Sequence, residues 1–123
     1  MMMAGEMTGA GDMAGAMMNL TDQATEVALA FVTARRQARA LATYPGVPPV
    51  DLAAAYQIQD CAIAMDGRRI DGWKVGRIMP PADALLHSNR LAGPIFAETM
   101  ISAAAGEVPD MPVFAGGFAA AEA

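Results

Sequence analysis

Ile70-Asp71-Gly72-Trp73-Lys74-Val75-Gly76-Arg77 is the stretch that decides the fold. Upstream of Gly67 the apolar residues recur at helical spacing. Beyond it the pattern changes, and residues 70–77 read as a strand. Successive side chains on a strand point to opposite faces. Trp73, Val75 and Arg77 therefore share one face, and Lys74 takes the other with glycines as its two same-face neighbours. Lys74 is the only lysine in the chain. It is either a solvated charge or a cation in a cleared slot where a ligand approaches the backbone closely.

Working outward, the N-terminal side reads as two helices. The first is expected from about Thr21 to Ala42, capped by Thr21, with Asp22 and Glu26 near its positive end. Val27, Ala30, Phe31, Ala34, Ala38 and Leu41 form its apolar stripe. Arg35, Arg36 and Arg39 read as a solvated cluster near its other end. Tyr44-Pro45-Gly46-Val47-Pro48-Pro49 breaks the pattern. Asp51 then reads as the N-cap of a second helix that ends near Asp66, with Gly67 as its stop. Its stripe is Leu52, Ala55, Tyr56, Gln59, Ala62 and Ile63. Gln59 is the polar exception, and a buried amide there needs partners, such as the backbone of a neighbouring loop.

On the C-terminal side, Pro80 and Pro81 end the strand and residues 82–87 form a helical turn or two. Gly93-Pro94-Ile95-Phe96 reads as a turn entering a short strand, which Glu98 to Ser102 extends. Gly106 to Pro112 is turn-rich, and residues 113–123 mix β-type and small side chains. Helices followed by short strands make an α+β fold.

Composition narrows the function classes. The 123 residues suit one domain, and the hydrophobic fraction of 54% is drawn largely from alanine. A net charge of −5, with eight basic against thirteen acidic residues, argues against a nucleic-acid binder and gives no reason to expect a membrane surface as partner. Cys61 is the sole cysteine, which excludes an internal disulfide, fits a reduced cytoplasmic setting, and reads as a small core residue. Residues 1–20, rich in Met, Gly and Ala, read as a disordered tail rather than a signal peptide or a membrane span. That reading leaves room for a true start at Met17 or Met18.

Three motifs in order carry a family resemblance. Ala54-Ala55-Tyr56-Gln57-Ile58-Gln59, then Asp66-Gly67-Arg68, then Gly72-Trp73-Lys74-Val75-Gly76 resemble the 2-keto-4-pentenoate hydratase family of the fumarylacetoacetate hydrolase superfamily. Leu91-Ala92-Gly93-Pro94-Ile95-Phe96 falls where that family has its proline-centred active-site loop. The resemblance covers residues 21–123. It implies the N-terminal part of a hydratase-like domain, with strands that begin a β-roll whose catalytic C-terminal half is absent here.

The resemblance also implies a chemistry. A 2-oxo acid or its dienol chelates Mg²⁺ or Mn²⁺, the metal stabilises the enolate, and water adds at the distal carbon. Lys74 matches the family lysine that holds the anionic substrate, and it is the candidate catalytic and substrate-binding residue. Glu122 matches the first acid of the family's metal-binding Glu-x-Glu pair. A single carboxylate cannot hold such a cation, so the chain is expected to be inactive as a fragment, with a glutamate codon following Ala123. The expected ligand is a small 2-oxo acid or dienoate, and the full-length parent is expected to be a homo-oligomer.

Two departures leave the substrate open. Ile95 stands where the hydratases often carry a catalytic aspartate, and Arg77 stands where Ser or Thr is common. A C–C bond hydrolase, a 2-oxo acid decarboxylase and a non-catalytic interaction module remain alternatives. His87 with Glu98 is a weaker candidate pair for activating water, while Asp60, Asp66 and Asp71 read as helix-end and turn acids.

Overall fold

The computed structural model describes residues 8–118, with side chains from Asp22 to Phe118. Helix α1 (Thr8–Arg36) and helix α2 (Leu52–Asp66) precede strand β1 (Ile70–Arg77), a short helix α3 (Ala82–Leu86), strand β2 (Arg90–Phe96) and a 3₁₀ turn (Ala97–Thr99). The two strands pair antiparallel. The architecture is α+β. Glu122 lies outside the described residues. No helix among those described is long and apolar enough to cross a membrane.

α2 follows its local signals. Asp51 has extended backbone and accepts a hydrogen bond from the Ala54 N–H at 2.7 Å, satisfying a donor that the first helical turn leaves open. Gly67 closes the helix in the left-handed region at φ 72°, and its N–H donates to the Ile63 carbonyl. Leu52, Ala55, Tyr56, Gln59, Ala62 and Ile63 are half-buried, as are Ala54, Ile58, Cys61 and Met65, while Ala53, Gln57, Asp60 and Ala64 are exposed, so the packed face includes the expected stripe and is wider than it. Asp51→Ala is expected to cost about 1 kcal/mol in urea unfolding, the usual worth of an N-cap.

α1 differs from expectation at both ends. It begins at Thr8, not Thr21, and ends at Arg36, not Ala42. Ala38 has φ 51°, which no helix continues through. The cause of this stop is non-local. The Ala40 N–H donates to the Ala115 carbonyl and the Ala115 N–H to the Ala38 carbonyl, each at 2.8 Å, so a bridge from far along the chain takes over the backbone here. The stripe is also rotated from the expected one. Ala24, Val27, Ala28 and Val32 are buried against α2, whereas Ala38 and Leu41 are exposed. Small alanines let the two helices approach closely. Gly46 allows the proline-rich loop to rest on this face: at φ 133°, a Cβ there would stand 3.0 Å from Val27 Cγ2.

β1 has the expected bounds. β2 does not, because Gly93-Pro94 lies within the strand rather than in a turn before it. Nor does Glu98–Ser102 extend the strand, since a single 3₁₀ turn follows and residues 100–104 form no regular element. Residues 113–118 contribute only the bridge at Ala115.

A two-stranded sheet is marginal alone, and a polar cluster ties this one to the helices. Phe96, at the end of β2, is 5% exposed. The Arg68 guanidinium lies 4.4 Å from its ring centroid and that of Arg35 5.7 Å. Asp66 joins them, accepting two bonds from Arg68 at 2.6 and 2.9 Å and facing Arg35 at 3.9 Å. Arg36 donates to the Met65 carbonyl at 2.8 Å, where a cation suits the α2 C-terminus. Arg35 and Arg36 are exposed, as expected of a solvated cluster, and in addition reach partners on other elements. Trp73 and Val75 leave more than half of their surface uncovered.

Candidate functional site around Lys74

The register places Lys74 opposite Gly93, Gly72 opposite Ile95 and Gly76 opposite Leu91. Cross-strand partners share a face, so Lys74 is flanked by glycine on three sides: Gly72 and Gly76 along its own strand, Gly93 across the ladder. The slot inferred from one strand is thus cleared by the second strand as well. Its walls are Ile95, whose Cδ1 lies 3.8 Å from where a Gly72 Cβ would stand, and the Gln59 amide, 3.7 Å from a Gly93 Cβ. Over Gly76 it is open. Lys74 itself is exposed. Trp73, Val75 and Arg77 pair with Pro94, Ala92 and Arg90 on the other face, so Arg77 stands away from Lys74.

The Tyr-x-x-Gln motif reaches this ladder. The Ala92 N–H donates to Tyr56 Oη, and Gln59 Nε2 donates to the Ala92 carbonyl, both at 2.9 Å. Tyr56 and Gln59 are three apart on α2, hence on one helix face. Both backbone groups of Ala92 point away from β1. By the alternation of an antiparallel ladder, Val75–Ala92 is then a non-hydrogen-bonded pair and Lys74–Gly93 a hydrogen-bonded one. Pro94, two residues on, also turns its nitrogen to the outer edge, where no donor is needed. Asp66-Gly67-Arg68, the second motif, forms the helix stop and the carboxylate–guanidinium pair described above.

The other expected residues are dispersed. His87 ends α3 in left-handed backbone at φ 53°, and Glu98 lies in the turn after β2, where its charge adds to the Asp66 hydrogen bond that chiefly holds the Arg68 guanidinium protonated. Cys61 is half-buried on α2. No group of three His, Cys, Asp or Glu among the described residues could hold a metal ion. Cavities of about 440 and 400 Å³ lie along α1, the first against Pro45–Asp51 and the second against Gln37–Leu41, and Lys74 lines neither.

No family model, no curated protein and no solved structure matches the chain.

Proposed function

We propose that the Lys74 face binds the anionic end of a small 2-oxo acid or 2-hydroxydienoate, as in a hydro-lyase of the 2-keto-4-pentenoate hydratase type. The observation that carries this is Lys74 placed among Gly72, Gly76 and Gly93. An ammonium on a flexible stem, with glycine at its two same-strand neighbours and across the ladder, can follow a carboxylate and give or take a proton there. The order of the three motifs supports the same reading.

The described residues do not fit the divalent cation that this chemistry uses. They supply no set of carboxylates, and Glu122 lies outside them. No step is assigned to a metal, and the role proposed for this chain is to hold and orient the substrate anion. Ile95 in place of the hydratase aspartate favours a sister reaction, C–C hydrolysis or decarboxylation, as the second reading. The exposed Trp73 and Val75 favour an interaction module as the third.

A single lysine makes the test direct. With ¹³C-lysine incorporated, the chain has one lysine Cε signal. Titration with pyruvate is expected to move it saturably in the millimolar range. No response to pyruvate or to a 2-hydroxydienoate would remove the basis for a 2-oxo acid site. Conversion of the dienoate with gain of water and no loss of carbon distinguishes hydration from the sister chemistries.

A further inference from the structure

Among the polar residues of the packed face of α2, Tyr56 and Gln59 both spend their hydrogen bonds on one residue of β2, Ala92, the neighbour of Gly93. We infer that Tyr56 and Gln59 are positioning residues that hold β2 in the register that keeps the Lys74 face clear. This rests on the reading of Lys74 given above.

The ladder needs such a device. Register is weakly specified in glycine-rich strands, and β1 and β2 carry Gly72, Gly76 and Gly93 at the centre of the pairing. The connection between them, residues 78–89, is too long to set register as a tight hairpin turn does. Buried Ile78 and Phe96 pin the two ends. Between them, the irregularity at Ile70/Gly72 shows that the ladder accepts an extra residue. A slip of two residues would bring Leu91 or Ile95 opposite Lys74 and fill the slot with a branched side chain. A slip of one would exchange the faces and bring Ala92 or Pro94 there. The clamp acts between the pinned ends, one residue from Gly93. It also occupies the outer edge of β2 at Ala92, where an unpaired N–H and C=O would otherwise invite another strand.

The test uses the whole chain with the ¹³C-lysine signal and one interstrand contact, Val75 Hα to Ala92 Hα, which is short only in a non-hydrogen-bonded pair. In Tyr56→Phe/Gln59→Leu this contact is expected to be lost, and the pyruvate affinity at Lys74 to fall at least tenfold, with helical circular dichroism retained. If the contact persists, or the affinity stays within twofold of the unsubstituted chain, the inference is overturned. A residue that merely stabilised the fold would lower the melting temperature and leave both readouts in place.

Gly93→Val supplies the complementary variant, and the one that decides if the double variant fails to fold. A Cβ there makes only ordinary contact with Gln59; the Val75–Ala92 contact checks that the two added methyls leave the register in place, and with that contact retained the pyruvate response should disappear. A retained response would overturn the clamp's role at this slot. If the unsubstituted chain shows no pyruvate response, the 2-oxo acid reading fails by itself, and the Val75–Ala92 contact alone then decides whether Tyr56 and Gln59 set the register.

Discussion

Phe96→Ala is expected to destabilise the protein by about 3–5 kcal/mol, the cost of deleting a buried aromatic side chain and leaving its cavity. That would consume much of the ~5–15 kcal/mol by which a domain of this size is normally stable. Few large side chains are buried among the described residues, and Phe96 is one of them. It sits where β2 ends, opposite Ile70 at the start of β1, beneath guanidinium groups from α1 and from the α2–β1 connection. Its ring thus joins the sheet to both helices. Removing it leaves the strands attached mainly through the Ala92 clamp. Urea unfolding followed by far-ultraviolet circular dichroism measures the change. Phe96→Leu separates the two contributions: it keeps most of the burial but loses the cation–π contacts, worth about 0.5–2 kcal/mol together, and should cost correspondingly less. A loss below about 1 kcal/mol in Phe96→Ala would show that the sheet is held elsewhere.

The parts of this structure that were legible in the sequence are those whose causes are local. Asp51 and Gly67 bracket α2 because a side-chain cap and a left-handed stop act within a few residues. Ile70–Arg77 is a strand with Lys74 on the face opposite Trp73, as alternation requires. Gln59 is legible as a polar exception seeking a backbone partner, and that partner is Ala92, in strand β2 rather than in a loop.

What was misread depends on distant residues. Nothing between Arg36 and Ala42 signals the end of α1; the bridge to Ala115 ends it. Gly93-Pro94 resembles a turn, yet Pro94 fits a strand because its nitrogen faces the outer edge, and which edge is outer is set by the pairing. Arg35 is exposed as its sequence context suggests, but its partners, Phe96 and Asp66, come from other elements and have no local signal. The third glycine of the candidate site, Gly93, has the same character. Its place opposite Lys74 follows from a register that no single strand encodes, and the signal that could have found it was the polar pair on α2.

Asp66→Asn is expected to cost about 1–2 kcal/mol, more than the loss of an exposed ion pair, about 0–1 kcal/mol, and less than that of a fully buried one, about 3–5 kcal/mol. The Asp66 side chain is 3% exposed, but Arg68 is 26% and Arg35 47% exposed, so the orphaned cations can rehydrate in part. The same carboxylate makes stability depend on pH. The two-pronged hydrogen bond from Arg68 outweighs burial and holds the Asp66 carboxyl below the ordinary carboxylate range. Between its folded and unfolded pKa values the unfolded chain binds more protons, so stability rises with pH there. The contribution is complete above the unfolded value of about 3.9 and is lost as pH falls through the folded one. Unfolding free energies measured from pH 7 to pH 2 should therefore be level down to about pH 5 and then fall. In Asp66→Asn this acid limb should flatten while the neutral-pH stability drops. If the limb kept its slope, another carboxylate would be the one that titrates, and the Arg68–Asp66–Arg35 joint would not be what holds Phe96 between the helices and the sheet.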